Sequence, residues 1–156
     1  LKETYGEMIQ VAVLHYALTS TIFVQQEKQQ DLLAANADMI ILEPFTLNDN
    51  GEVSTENSLV NITTIVTHVC ASKPSTTFIL QPPYPLFNAK FYPRQIDALQ
   101  TYAEDKKLPY LNHWQAWPDD HSKQLKVYLI EELSAPNEAG YHIWSSYVID
   151  YLIAKP

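Results

Sequence analysis

Glycine is nearly absent. The 156 residues hold three, Gly6, Gly51 and Gly140, against ten prolines and ten tyrosines, where average usage would give glycine about 7% of positions. Neither G-x-G-x-x-G nor G-x-x-x-x-G-K-[ST] can be written with these three, so the common phosphate-cradling loops are excluded. Cysteine is scarcer still. Cys70 alone can form neither an intrachain disulfide nor a thiolate cluster, and its place among Ile62, Ile65, Val66 and Val69 marks it as a buried structural thiol. Positive charge is the third shortage. Ten basic residues face eighteen acidic ones, the net charge is -8, and Lys106-Lys107 is the longest basic run. Such a surface repels nucleic acid and anionic membrane, and neither is expected as a partner. No apolar run reaches the length of a membrane span, so a soluble chain is expected, with its compartment left open. The five histidines, His15, His68, His113, His121 and His142, make no H-E-x-x-H pair, and neither a metal nor another cofactor is expected.

What is present is a globular composition, 46% apolar and 18% charged, in a chain the length of one domain, residues 1–156. Short apolar runs alternate with longer amphipathic ones. Met8–Leu14, Met39–Leu42, Phe78–Leu80 and Pro109–Leu111 read as strands. Thr21–Ala37, Ser54–Ser72, Pro93–Lys106, His121–Glu131 and Asn137–Ile153 read as helices, and Asn48-Asp49-Asn50-Gly51 as a turn. This alternation predicts an α/β fold built on a parallel sheet. In such sheets, sites gather at the carboxyl ends of the strands. The segments there are His15–Ser20, Glu43–Asp49, Gln81–Pro85 and Asn112-His113-Trp114.

Three of the blocks are informative together. Asp38–Asp49, ending in Thr46-Leu47-Asn48-Asp49, resembles the "PD-hydrophobic-G-x-N-D" block of SGNH/GDSL hydrolases. Phe78–Pro83 is similar to the strand and proline-rich loop that follow it in that family, and Glu132–Tyr141 is similar to its last block, D-x-x-H-P-N-x-x-G. The order and spacing agree over nearly the whole chain. The resemblance implies a flavodoxin-like three-layer sandwich and ester hydrolysis by a Ser-His-Asp arrangement with an oxyanion hole.

Carried over residue by residue, the resemblance makes Asn48 the amide donor to the oxyanion, though a turn asparagine beside Gly51 is the plainer reading of the same residue. The family's two loop glycines fall on Ala17 and Thr46. Its catalytic histidine falls on Ala135, which can accept no proton, and its carboxylate on Glu132, which by itself reads as a solvated charge. Pro83 and its aromatic neighbours would line a rim for an acyl or glycan ester substrate. His113 would approach that rim or simply pack against Trp114 or Trp117.

The nucleophile block, G-D-S, has no match in residues 1–156. Ser20 follows an early strand, but helix N-cap is the better reading of it. A flavodoxin-like sheet has the strand order 2-1-3-4-5. If Met8–Leu14 is the second strand, the first strand is missing from this chain. An N-terminal segment or another chain is then expected to supply it, with the attacking serine. Two functions follow: an SGNH-type esterase, lipase or acylhydrolase acting through a serine outside this chain, or a non-catalytic module of the same fold that binds glycan or a protein.

Overall fold

The computed structural model describes residue 6 and residues 9–153. The chain forms two compact units. The sheet unit takes His15–Pro83 and Lys90–Tyr110. The carboxy-terminal unit takes Tyr84–Ala89 and the chain from Leu111 onward, together with the described residues ahead of His15.

In the sheet unit, β1 (Met39–Leu42) and β2 (Thr77–Leu80) pair in parallel, Met39 opposite Thr77 and Leu42 opposite Leu80. β1 is apolar throughout and β2 is apolar from Phe78 onward, as in strands that a parallel sheet buries. Leu80 makes one further parallel bridge, to Tyr110. The strand expected over Pro109–Leu111 is reduced to that contact, because Pro109 has no N–H to give and the Leu111 carbonyl turns away to accept from His113 N–H at 3.1 Å. Among the described residues, the edge of β1 away from β2 has no backbone partner.

The strand expected at Met8–Leu14 does not form. Met8 lies outside the described residues, residues 9–14 have no regular structure, and Val11 and Val13 are 73% and 85% exposed. A strand exists only where a neighbour takes its N–H and C=O groups, and the described residues offer this run none.

Helices carry the rest of the sheet unit. The helix expected over Thr21–Ala37 is two short ones, α1 (Ser20–Gln25) and α2 (Gln29–Ala34). Its apolar residues cluster at the two ends, with only polar and charged ones from Gln25 to Asp31. A left-handed Glu27 breaks the helix so that both Phe23 and Leu32 reach the core. After β1 comes one helical turn, α3 (Thr46–Asp49). Then α4 (Thr55–Ser72) crosses to β2, capped by Ser54 Oγ, which accepts from Asn57 N–H. It buries Ile62, Ile65, Val66 and Val69 on one face, each contributing roughly 1.5–3 kcal/mol. Cys70 is half-buried against the same core. Helix α5 (Tyr92–Lys106) starts with proline in its first turn and ends at a left-handed Lys107.

The carboxy-terminal unit is built on two 3-10 turns, His113–Ala116 and Lys123–Tyr128, and on α6 (Glu138–Ile153). The helix expected over His121–Glu131 shrinks to the second turn, because Leu129 is extended and bridges Pro136 in antiparallel fashion. Trp117, Leu125 and Leu129 form a small core with Tyr84, Phe87 and Trp144 against them.

Candidate functional site

The strand-end loops of the sheet unit hold most of the residues singled out. Glu43 and Pro44 leave β1, and Phe45 then takes the left-handed conformation, φ 39° and ψ 7°. This is the backbone that favours glycine. The left-handed residue of this loop is Phe45, directly before Thr46. Thr46 itself is buried, with its hydroxyl donating to the Pro44 carbonyl at 2.9 Å. Asn48 is exposed, and its side-chain amide has no hydrogen-bond partner among the described residues.

Asp49 is fully buried. One carboxylate oxygen accepts from Ser20 N–H at 2.7 Å and the other from the Ser58 hydroxyl at 2.6 Å. Asn61 Nδ2 donates to Ser20 Oγ at 2.9 Å and to Thr21 Oγ1 at 3.0 Å. Ser20 is thus neither the N-cap of α1 nor an exposed nucleophile. The cap is Thr19, whose Oγ1 accepts from Ile22 N–H, and Ser20 is the buried first residue of the helix. The run Thr19-Ser20-Thr21 offers three adjacent hydroxyl residues for the cap, and the bond from Ile22 N–H singles out Thr19.

The loop ahead of α1 is held at Tyr16. Its hydroxyl donates to Asp31 Oδ2 at 2.6 Å, and this bond with burial pushes its pKa up to about 12. Its ring meets Phe23 edge-on at 5.0 Å, and Phe23 meets Phe45 at 4.7 Å. Ala17 lies exposed between these anchors, and its backbone is not left-handed. Alanine therefore sits there without the strain that the family's glycine suggested. Pro83 is buried. Glu43 keeps contact with solvent, yet the protein crowding its carboxyl group raises its pKa from 4.5 to about 7.

The carboxy-terminal unit places His113 fully inside. Its Nδ1 accepts from the Trp117 indole N–H at 3.0 Å, and its ring stacks on Trp144 at 4.6 Å. Glu132 is exposed. Ala135 stands in a tight loop, its carbonyl accepting from Ile130 N–H at 2.9 Å. Asn137 Nδ2 donates to the Val127 and Leu129 carbonyls at 2.8 and 2.9 Å, and its Oδ1 accepts from Gly140 N–H at 3.1 Å. At Gly140 an added Cβ would lie 2.3 Å from the Tyr128 carbonyl oxygen and 3.0 Å from Pro136 Cβ. Close approach, not a special φ, is what this glycine serves. No group of three His, Cys, Asp or Glu side chains among the described residues could hold a metal ion. No helix among them is long and apolar enough to cross a membrane.

The fold has close counterparts among solved structures. A Streptococcus pneumonia protein described as a platelet activating factor superposes with a TM-score of 0.72 at 20% identity, over 97% of this chain and 76% of the other. A Desulfitobacterium hafniense protein described as lipolytic and of the G-D-S-L family gives 0.66 at 20% identity, over 85% and 74%. A GDSL-like lipase from Bacteroides thetaiotaomicron gives 0.67 at 15% identity, over 87% and 71%. No protein-family model matches the chain, and no curated protein matches it. The fold is therefore that of SGNH/GDSL hydrolases, α/β and flavodoxin-like, with the parallel sheet that the sequence predicted.

Proposed function

We propose that this chain is the oxyanion-stabilising part of an SGNH-type ester hydrolase, acting on a small-molecule or glycan ester. The observation that carries the reading is Asn48. Its amide is exposed and has no hydrogen-bond partner among the described residues, while the neighbouring Thr46 and Asp49 side chains are bonded, which leaves its N–H open to the negative charge that develops on a carbonyl oxygen. The exposed Ala17 backbone is the second donor. The nucleophile is a serine outside this chain. Its hydroxyl oxygen attacks the carbonyl carbon, and the alcohol departs with a proton as the acyl-serine forms. Water then releases the acid. The bare edge of β1 supports this reading, since a parallel strand laid there would end at the same carboxyl edge as Asn48.

Ala135 favours a second reading, a binding module of the same fold, because a methyl group at the histidine position moves no proton. Hydrolysis of a short-chain nitrophenyl ester by the full-length protein, with labelling by a serine-directed phosphonate, separates the two. The hydrolase reading expects both, with a loss of about tenfold or more in rate for Asn48→Ala. No turnover and no labelling would leave the binding module. An unchanged rate in Asn48→Ala would remove Asn48 from the site.

A further inference from the structure

We infer that Asp49 is the positioning residue of this site, its buried carboxylate tying the loop that presents Ala17 to the helical turn that presents Asn48. The inference rests on the proposed reading of Ala17 and Asn48, and it concerns a residue that touches no substrate.

The loop His15–Thr19 has no regular structure. Two residues fix it, Tyr16 on one side of Ala17 and Ser20 on the other. The anchor at Ser20 is its backbone N–H, and the group that receives it is Asp49 Oδ1 at 2.7 Å. Asp49 follows Asn48 directly, and its own N–H closes α3 by donating to the Phe45 carbonyl at 2.7 Å. Its carbonyl accepts from Glu52 and Val53 N–H, both at 2.9 Å. The turn that carries Asn48 is therefore stiff, and the Ala17 loop is bonded to it one residue away. The second carboxylate oxygen takes the Ser58 hydroxyl from α4, an 18-residue helix, at 2.6 Å. One side chain thus joins α1, α3 and α4, with both oxygens engaged by donors on different elements.

A carboxylate suits this task better than an amide. It accepts at both oxygens, and charge-assisted bonds are shorter and roughly twice as strong as neutral ones. Oxyanion donors repay such stiffness, because a site must be held to within about 0.5 Å of its productive geometry. No spacing rule points to the arrangement, since Ser20 and Asp49 stand 29 residues apart.

Asp49→Asn is the decisive variant, because it keeps the shape and one acceptor for Ser20 N–H while removing the charge. Amide hydrogen exchange on this chain is expected to show the Ser20 amide about tenfold faster, with β2 and α5 unchanged. Ser58→Ala frees one carboxylate oxygen and is expected to speed Ser20 by about threefold. No change at Ser20 in Asp49→Asn, or an acceleration shared by β2 and α5, overturns the inference. In the full-length protein, Asp49→Asn is expected to lower kcat about tenfold with KM held within about twofold, and to cost clearly less in an Asn48→Ala background than alone. Losses that multiply independently in the double variant would overturn the positioning role. If Asn48→Ala leaves the rate intact, the oxyanion reading fails by itself, while the exchange at Ser20 still decides whether Asp49 holds the loop.

Discussion

Asn48 and Asn137 each stand in a family-like block, yet the two regions use them in opposite ways. Asn48 rides on a helical turn whose other polar side chains, Thr46 and Asp49, are engaged, while its own amide has no partner among the described residues. Asn137 is spent on the scaffold, bridging two carbonyls and capping the first turn of α6. In the sheet unit the loop is built around a free donor. In the carboxy-terminal unit the loop around Ala135 is held by Asn137 and Gly140, and no open polar side chain of this kind is built into it among the bonds described. Under the proposed reading Ala135 stands at the histidine position, so this block would keep its scaffold without a group that moves a proton.

Substitutions put this contrast to the test. The largest effect is expected at Gly140. Gly140→Ala drives a methyl group into the Tyr128 carbonyl and should cost about 3 kcal/mol, read as a fall in the denaturation midpoint. Gly51→Ala is the control, because it meets no atom within 4 Å and is strained only by its φ of 84°, for about 1 kcal/mol. A smaller effect at Gly140 than at Gly51 would deny the close approach. Next comes the asparagine pair. Asn137→Ala should destabilise by about 2 kcal/mol, through the lost cap and two orphaned carbonyls. Asn48→Ala should stay within about 0.5 kcal/mol. Equal costs in urea unfolding would erase the distinction between scaffold and donor.

The smallest effect is one of pH. The Glu43 carboxyl is raised from 4.5 to about 7 in the folded chain, so the folded state holds a proton that the unfolded chain has already released. Stability relative to Glu43→Gln is therefore expected to fall as pH rises from about 4.5 to about 7, and to be level on either side. Parallel unfolding curves for the two proteins across that range would show that Glu43 is not crowded as described.

Much of this was legible in the residues. The four-residue apolar run Met39–Leu42 stopped by Pro44, the Ser54 cap and the Pro93 start each carry a local cause, and each element formed within a residue or two of its expected bounds. Elements that depend on a neighbour were not legible. Residues 9–14 read as a strand but have nothing to pair with among the described residues. The break at Glu27 is set by where Phe23 and Leu32 must both be buried, which no local pattern states. At the site, Asn48 could be read from its motif. Asp49, Ser58 and Asn61 could not, because their bonds join positions that only the folded chain brings together.

The bare edge of β1 also bears on how the protein behaves in a tube. Met-Ile-Ile-Leu is a four-residue run without a charge, and an open apolar edge of this kind templates pairing between molecules. What opposes that pairing is the net charge of -8, which repels one copy from the next. That protection fades in high salt and disappears near the isoelectric point of about 4.9. Repulsion between copies is therefore set by the acidic surface, and it is strongest in dilute salt above neutral pH.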